Sequence, residues 1–379
     1  MTVVIEDDRI VSVNSEGNSA RNDDRVVDLR GRTLMPGMVV GHFHPAYSVA
    51  HSATEAPESK QAIWAQGNAM KALKCGYTAG VGAGTFFDID ARLADAIDSG
   101  VVEGPRLIPA SRAIAPGRVG GMAPEASPYI QCHGAEAVRA AVEKEIERGA
   151  KIIKLFGASG HALLGAGAMS TEELRAAVEV ADAHGARTRA HVCGRDKVLD
   201  CVEAGIRIID HADGMDDACI QAFLDNDCFV LPSLYMGWQS KVDPSLPGAE
   251  LFVPEDFDYM ASVLPKAVEA GVKFVPGDDY GFGMLDHGDY PGELVCYVEQ
   301  CGIDPLEVIK WATKNGGELT GIEGLGTIAP GSLADMVIVD GDPSVDINVL
   351  AQPDGIVAVL KGGALASGEL PAEQLAMAS

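Results

Sequence analysis

Short apolar runs that alternate with longer amphipathic segments constrain the fold of this chain more than any other feature. Eight of these runs have the length and the composition of strands. They are Met38–His44, Tyr77–Gly82, Arg106–Ala110, Ile152–Phe156, Arg187–His191, Ile206–His211, Phe229–Pro232 and Lys273–Pro276. Strands that alternate with crossover helices form a parallel sheet, and eight parallel strands can close into a barrel. The sequence therefore predicts an α/β fold, a (β/α)8 TIM-like barrel.

The clearest of the intervening helices is predicted over Thr171–His184, where apolar residues recur on one face. Ser170 and Glu173 have the spacing of a capping box at its start. Gly185 follows the last turn, where a C-terminal cap belongs. Start and stop signals therefore agree with the periodicity.

Both ends of the chain differ from this middle part, because they consist of β-like runs and polar turns without helical periodicity. The predicted strands are Val3–Ile5, Ile10–Val13, Val26–Leu29, Gly326–Pro330, Ala334–Val339 and Ile356–Leu360. We expect the two ends to form one small β-sandwich domain. The predicted division is residues 1–37 and 325–379 for the sandwich and residues 38–324 for the barrel.

Composition excludes several classes of partner. The 379 residues include 29 Lys and Arg against 55 Asp and Glu, a formal net charge of -26. Such an acidic surface repels nucleic acids and anionic membranes. We find no signal peptide, no apolar stretch of about 18 residues that could span a bilayer, and no CxxC pair among the eight cysteines. The chain is expected to be a cytoplasmic homo-oligomer that acts on a small molecule.

The first predicted strand ends in His42-Phe43-His44. Side chains alternate along a strand, so both imidazoles lie on one side and can share a metal ion. A single histidine at a strand end is more often a hydrogen-bonded core residue than a ligand. The pair alone therefore only suggests a metal site.

Lys154 lies near the end of the fourth strand, where an ammonium group would be a buried and unpaired cation. Either its pKa is depressed, or CO₂ converts it into a carbamate anion that bridges two cations. Three more strands, the fifth, sixth and eighth, end in polar groups, at His191, at His211 and at Asp278-Asp279. Together these residues provide nitrogen ligands, an anionic bridge and a carboxylate that can move a proton.

This order of residues resembles the amidohydrolase superfamily of metal-dependent hydrolases. Local motifs resemble its imidazolonepropionase-like and prolidase-like branch, which includes ochratoxinase-like amidases. The motifs are LMPGMVVGHFHP, KIIKLFGASG, STEELRAAVEVADAHGARTRAHVCG, IIDHADGMDD, VPGDDYGFGMLDHGDYPGEL and GLGTIAPGSLADMVIVDGDP. They cover nearly the whole chain.

The resemblance implies two divalent metal ions, with zinc expected, and a role for each matching residue. His42, His44 and Asp279 would bind one ion, His191 and His211 the other, and an N6-carboxylated Lys154 would bridge them. A bridging hydroxide would attack the substrate carbonyl, and Asp279 would carry its proton to the leaving nitrogen. The match to the family's Gly-Thr-Asp pattern turns Asp279 into the barrel and Asp278 away from it.

Three positions depart from the pattern of the family. Cys193 stands where relatives often have a second histidine, Met122 stands where they have one after two glycines, and Asp278 replaces a threonine. These differences alter the substrate pocket that the resemblance implies.

Substrate contacts are predicted from loops at the rim of the barrel, where specificity resides. The irregular segments Ala113–His133 and Gly157–Met169 are expected to cover the site. The candidate contact residues are His161, Tyr235, His287, Cys193 and Arg118, the last as a receptor for a substrate carboxylate.

Three hypotheses about function follow. The first is hydrolysis of an amide-type C–N bond in a small molecule such as an N-acyl amino acid or a dipeptide. Phe43, Tyr235 and Trp238 near the predicted rim favour an apolar or aromatic acyl group. The second keeps the barrel but opens a cyclic amide or lactone, or deaminates a heterocycle; Lys154 argues against deamination. The third is an inactive barrel used for binding or assembly, and the complete ligand set argues against it.

Overall fold

The computed structural model describes residues 1–15, 25–49, 56–116, 127–160, 167–371 and 373–375. Its strands, numbered in chain order, are β1 (Thr2–Glu6), β2 (Arg9–Asn14), β3 (Arg25–Val27), β4 (Thr33–Pro36), β5 (Met38–Phe43), β6 (Tyr77–Gly82), β7 (Arg106–Ile108), β8 (Ala113–Ala115), β9 (Tyr129–Gln131), β10 (Ile152–Phe156), β11 (Arg187–Val192), β12 (Ile208–His211), β13 (Phe229–Leu231), β14 (Lys273–Phe274), β15 (Met336–Val339), β16 (Ile356–Lys361), β17 (Ala364–Gly368) and β18 (Glu373–Leu375).

The α-helices are numbered in the same way. They are α1 (Glu58–Lys74), α2 (Ile89–Asp98), α3 (Ala135–Glu147), α4 (Thr171–Ala183), α5 (Arg195–Ala204), α6 (Asp217–Asp225), α7 (Tyr235–Val242), α8 (Pro254–Ala270), α9 (Tyr290–Glu299), α10 (Pro305–Lys310) and α11 (Gly316–Thr320). In the described part of the chain, none of these helices is long and apolar enough to cross a membrane.

Eight parallel strands form a barrel in the order β5, β6, β7, β10, β11, β12, β13 and β14. Two sets of backbone hydrogen bonds close the barrel. Pro109 O, just after β7, accepts from Lys151 N (2.8 Å) and Ile152 N (3.1 Å), and Pro276 O, just after β14, accepts from Gly41 N (2.8 Å). These strands are the eight that the sequence predicts, so the predicted barrel is confirmed.

Apolar side chains from successive strands fill the barrel, among them Val39, Ala79, Ile152, Ile208 and Leu231, all at most 1% exposed. Burial of this cluster removes the interior from water and leaves the strand ends to carry polar groups. The site described below therefore rests on a packed apolar layer.

Helix α4 illustrates how local sequence sets the elements around the barrel. The hydroxyl of Ser170 accepts a hydrogen bond from Glu173 N (3.3 Å), and the Glu173 carboxylate accepts from Ser170 N (2.7 Å). This is the predicted capping box. Glu173 also accepts from Gly134 N (2.7 Å), at the start of α3, and so ties neighbouring helices together.

The segment predicted as a loop over Ala113–His133 contains two short strands in its described part. Strand β8 pairs with β10 and with β9 in parallel register, with Ile114 opposite both Leu155 and Ile130. These pairs are too short to give a periodic signal in the sequence, and that part of the prediction was wrong.

The two ends of the chain form β-structure together, as predicted. Strand β15 pairs antiparallel with β4 and with β16, and β17 continues that sheet. The β1–β2 hairpin is a separate two-stranded sheet that contacts the segment before β15, where Ile10 N donates to Ser332 O (2.8 Å). The predicted strand Gly326–Pro330 is wrong: Gly326 has φ +84° and an added Cβ would lie 2.2 Å from Thr313 O, so only glycine fits this turn. The exact domain boundaries stay a prediction.

Candidate metal centre

The ends of β5 and β14 bring together two histidines and a carboxylate. Asp279 Oδ1 lies 2.9 Å from His42 Nε2 and 3.1 Å from His44 Nε2, and the two imidazole nitrogens are 3.1 Å apart. The approach depends on Gly277, since a Cβ at this position would lie 2.3 Å from His42 N. His44 Nδ1 hydrogen-bonds Gly84 O (2.6 Å), so its Nε2 faces the carboxylate.

The fifth and sixth strands add His191 and His211 to the same place. The two rings are in contact, with centroids 4.4 Å apart, and the ring of His211 lies 5.4 Å from that of His42. His191 Nε2 hydrogen-bonds Gly160 O (3.0 Å). One ligand atom from each of His42, His211 and Asp279 lies within 4.8 Å of the others, a spacing at which a single cation can be bound.

Lys154 is buried beside this cluster, and here the structure corrects the sequence-based expectation of an unpaired cation. Its Nζ lies 2.5 Å from Asp210 Oδ2, so the lysine is ion-paired. Asp210 also forms an ion pair with the fully buried Arg189 and lies 3.5 Å from His42 Nδ1. Arg189 Nη1 in turn donates to Gly41 O (3.0 Å) and Gly82 O (2.8 Å). Every charge in this group thus has a partner of opposite sign or a carbonyl.

Backbone geometry explains why His211 reaches the site although its neighbour Asp210 already faces the barrel interior, on the same side of β12 as the core residue Ile208. Neighbours in a regular strand point to opposite faces. His211 has φ +69° and Ala212 has φ +55°, in the left-handed region that non-glycine residues seldom adopt. The strand therefore ends at His211 with a change of direction that turns both side chains toward the cluster.

The charged groups in this cluster shift one another's pKa values. Burial alone would raise the pKa of Asp279, but His42 and His44 hold it well below its usual value. Burial would likewise raise the pKa of Asp210, but Arg189 and Lys154 hold it well below the usual range. Burial lowers the pKa of Lys154 and Asp210 opposes this effect. Burial also lowers the pKa of His44. Both carboxylates are therefore anionic and suited to bind cations.

Above the cluster lies a cavity of about 430 Å³. Its described lining residues include four of the predicted ligands and a set of apolar and aromatic residues. They are His44, Lys154, His191 and Asp279, with Tyr47, Ala83, Gly84, Ala113, Tyr129, Phe156 and Phe282. The six predicted ligands thus meet in one place, and four of them line this cavity.

The predicted substrate contacts lie elsewhere or cannot be placed. Tyr235 is buried, and its hydroxyl donates to Asp289 Oδ2 (2.8 Å). His287 is buried with Nδ1 2.7 Å from Tyr290 Oη, and burial lowers its pKa to about 3. Cys193 donates to Asp213 Oδ2 (3.4 Å). None of the three belongs to the described cavity lining. Their role as substrate contacts stays a prediction that this placement does not favour.

His161, Arg118 and Met122 lie outside the described residues. Phe43, predicted to be near the rim, is buried in the core instead. The aromatic residues that line the cavity are therefore different ones, and sequence reasoning missed them. Arg189 was missed as well, although it precedes His191 by two residues and strand alternation places both on one face.

The parallel barrel and the polar cluster at the carboxyl ends of its strands define a barrel enzyme. Comparison with known proteins identifies the family, because the amidohydrolase family matches residues 33–366. The chain therefore belongs to the amidohydrolase family, and it is a hydrolase that acts on C–N bonds.

Individual relatives cover nearly all of the chain. Ochratoxinase from Aspergillus niger is 28% identical over 97% of this chain and 82% of that protein. A Xaa-Pro dipeptidase with bound methionine in its active site is 28% identical, with a TM-score of 0.84 over 97% of this chain and 94% of that one. A prolidase complexed with N-methylphosphonate-L-proline is 29% identical, with a TM-score of 0.81 and the same coverage.

Proposed function

We propose that this chain is a binuclear metal-dependent hydrolase that cleaves an amide-type C–N bond of a small molecule, such as an N-acyl amino acid or a dipeptide. One observation carries the proposal. Asp279 Oδ1 lies within 3.1 Å of both His42 Nε2 and His44 Nε2, while His191 and Lys154 line the same cavity. This set of donor groups suits the hydrolysis of an amide bond, which the family name implies.

We propose that these residues hold two divalent ions, with zinc as the metal. His42, His44 and Asp279 would hold one ion and His191 and His211 the other, with Lys154 bridging them after carboxylation by CO₂. Nitrogen and carboxylate donors of this kind suit zinc and several other first-row metals. Bound there, the ions would supply a nucleophile near neutral pH and polarise the scissile carbonyl.

The chain's own residues would orient the substrate and move a proton. Asp279 lies between the two histidines at the cavity floor, where its carboxylate can take a proton from water and give it to the leaving nitrogen. The apolar wall of Phe156, Ala113 and Phe282 excludes water from the reacting bond and accommodates an apolar or aromatic group.

The relatives guide the choice of substrates. The names of two solved structures specify a Xaa-Pro dipeptidase and a prolidase. We therefore propose a screen of the zinc-loaded protein against Xaa-Pro dipeptides, N-acyl amino acids, lactams and cyclic ureas, with product masses as the readout. Release of an amine and a carboxylic acid is expected.

Two variants control the screen. Asp279→Asn should abolish most of the turnover, whereas Asp340→Asn, an exposed position in the terminal β-structure, should not change it. If ammonia from a heterocycle is the sole product, the enzyme is a deaminase and not an amidase. Ring opening of a lactam or a lactone without any cleavage of acyclic amides would select the cyclic alternative.

The cellular context is part of the same proposal. We propose a cytoplasmic location and a homo-oligomeric state for this chain. Sedimentation of the purified chain measures the second of these directly.

A further inference from the structure

Two tyrosines that the sequence did not single out, Tyr47 and Tyr129, line the cavity from opposite sides. The Tyr47 ring lies flat on His44, with centroids 4.4 Å apart and an interplanar angle of 8°. Tyr129 packs edge-on against Phe156 at 5.2 Å, and Phe156 stacks on His191 at 5.0 Å. One tyrosine therefore stands on the His44 side of the cluster and the other on the His191 side.

The two phenol side chains lie close enough to interact, and they share the cavity lining with Asp279 and Lys154. A protonated phenol can donate a hydrogen bond.

Neighbouring backbone fixes the position of the pair. Asn68 Nδ2 donates to Tyr47 O and to Pro45 O, both at 2.9 Å, and Tyr47 N donates to His44 O at 3.0 Å. Tyr129 lies in β9, and its N donates to Ser127 Oγ at 3.1 Å. These contacts hold the backbone of both tyrosines in place before any substrate arrives, and a group that stabilises a transition state must be positioned in advance.

Two phenol hydroxyls carry two protons that can be donated. If one tyrosine donates to the other, one proton remains for a third oxygen. The other described lining residues outside the ionisable cluster are Ala83, Gly84, Ala113, Phe156 and Phe282, whose side chains donate no hydrogen bond. The pair is thus the neutral side-chain donor of the described lining.

We propose that the Tyr47–Tyr129 hydroxyl pair donates a hydrogen bond to the oxygen of the scissile carbonyl and stabilises the oxyanion that forms there. This inference rests on the proposed amide hydrolysis. When the oxygen of water bonds to the carbonyl carbon, the π-electron pair moves to the carbonyl oxygen, which becomes negative. The pair returns as the C–N bond breaks and Asp279 delivers a proton to the nitrogen. A donor near that oxygen gains strength as the charge develops.

The test compares Tyr47→Phe, Tyr129→Phe and the double variant, because phenylalanine keeps both ring contacts and removes only the hydroxyl. With the best amide from the screen, we expect kcat to fall about 100-fold in either single variant while KM changes little. The double variant should lose no more than the worse single one, because the hydroxyls act as a unit. A rise in KM with unchanged kcat, or additive losses, would overturn the proposal.

A second probe separates this inference from the proposed function. Inorganic phosphate is a tetrahedral oxyanion, and its affinity for the zinc-loaded protein can be measured by calorimetry without any turnover. Each phenylalanine variant should bind phosphate about tenfold more weakly, the loss of one hydrogen bond to an anion. If wild type cleaves no amide but this loss is seen, the amidase assignment fails and the anion donor stands.

Unchanged phosphate affinity in both single variants would overturn the anion donor, whatever the screen shows. Tyr259→Phe is the matched control. This exposed tyrosine lies on α8, away from the cavity lining, and its hydroxyl donates to Met215 O (3.0 Å). Its kcat and its phosphate affinity should equal those of wild type.

Discussion

Asp278 and Asp279 are neighbours in the chain, but their carboxylates have different partners. Asp278 is fully buried and accepts hydrogen bonds from Met236 N (2.9 Å) and from Asp279 N (2.8 Å). Asp279 faces the histidines instead. The structure thus places the two side chains as the match to the family's pattern predicts, and Asp278 holds the loop in position through backbone groups.

We therefore expect the two carboxylates to respond differently to substitution. Asp279→Asn should lower kcat by about two to four orders of magnitude, the usual scale for a lost general acid–base. Asp278→Thr should keep both metal ions and most of the activity. Steady-state kinetics and elemental analysis of both variants are the measurement. The reverse ranking would show that Asp278, not Asp279, is the proton carrier.

Lys154 gives a second prediction at the scale of one residue. In Lys154→Ala the proposed carbamate bridge cannot form, while Asp210 keeps its ion pair with Arg189. We expect at least one of two bound zinc ions per chain to be lost, with partial recovery of activity when acetate or formate fills the gap. Elemental analysis that finds one ion in wild type, and the same ion in the variant, would contradict the binuclear proposal.

Single residues also show which parts of the site could be predicted from the sequence. The positions of His42, His44, His191, His211 and Asp279 could be predicted because each directly ends an apolar run. Asp210 could not, because regular alternation from an inward His211 puts it on the opposite face, and the two share the site only because the backbone at His211 is left-handed. That conformation follows from tertiary packing and has no local signature.

At the scale of elements, the strands and α4 were predictable because their apolar periods and caps are local. The short strands β8 and β9 were not, since three residues cannot display a period. The cavity lining was missed for a related reason: Tyr47 follows β5 as part of a turn, and Tyr129 lies in a segment without any pattern. Which aromatic ring faces the cavity depends on contacts between distant elements.

Helix α2 and the end of β7 are connected by one buried carboxylate. Asp90 accepts hydrogen bonds from Ala91 N (2.8 Å), Ala110 N (2.7 Å) and Ser111 N (3.1 Å). Burial raises its pKa from 3.8 to about 6, although these amides oppose the shift. Because the folded protein holds the proton more tightly than the unfolded chain, this group's contribution is complete below pH 3.8 and is lost as pH rises through about 6.

The variant Asp90→Asn should be less stable than wild type at every pH, since an amide cannot satisfy all three donors. The difference in the free energy of unfolding should shrink by about 3 kcal/mol at most as pH rises through this window. Above about pH 6 the difference should be constant. Urea unfolding of both proteins at a series of pH values tests this expectation. A difference that grows with pH would mean that the Asp90 pKa is lowered, not raised.

At the scale of the whole molecule, one barrel joins all parts of the site. The proposed ligands come from β5, β10, β11, β12 and the segment after β14, which are spread over nearly the full length of the barrel sequence. An unfolded chain cannot hold these groups together, so metal binding must favour the folded state. The free energy of unfolding of the whole barrel should therefore depend on metal binding.

We expect zinc to raise the melting temperature by several degrees at concentrations far above its dissociation constant. A ligand at 100 times its dissociation constant stabilises the folded state by about 2.7 kcal/mol. The melting temperature should keep rising with the logarithm of zinc concentration, and it should return to the metal-free value when a chelator removes the zinc. Scanning calorimetry of wild type, His211→Ala and Asp340→Asn makes the comparison. The exposed Asp340 variant should follow wild type, whereas His211→Ala should lose most of the effect because a buried ligand next to His42 and His191 is absent. A melting temperature that is independent of zinc in wild type would contradict a metal centre built by the fold.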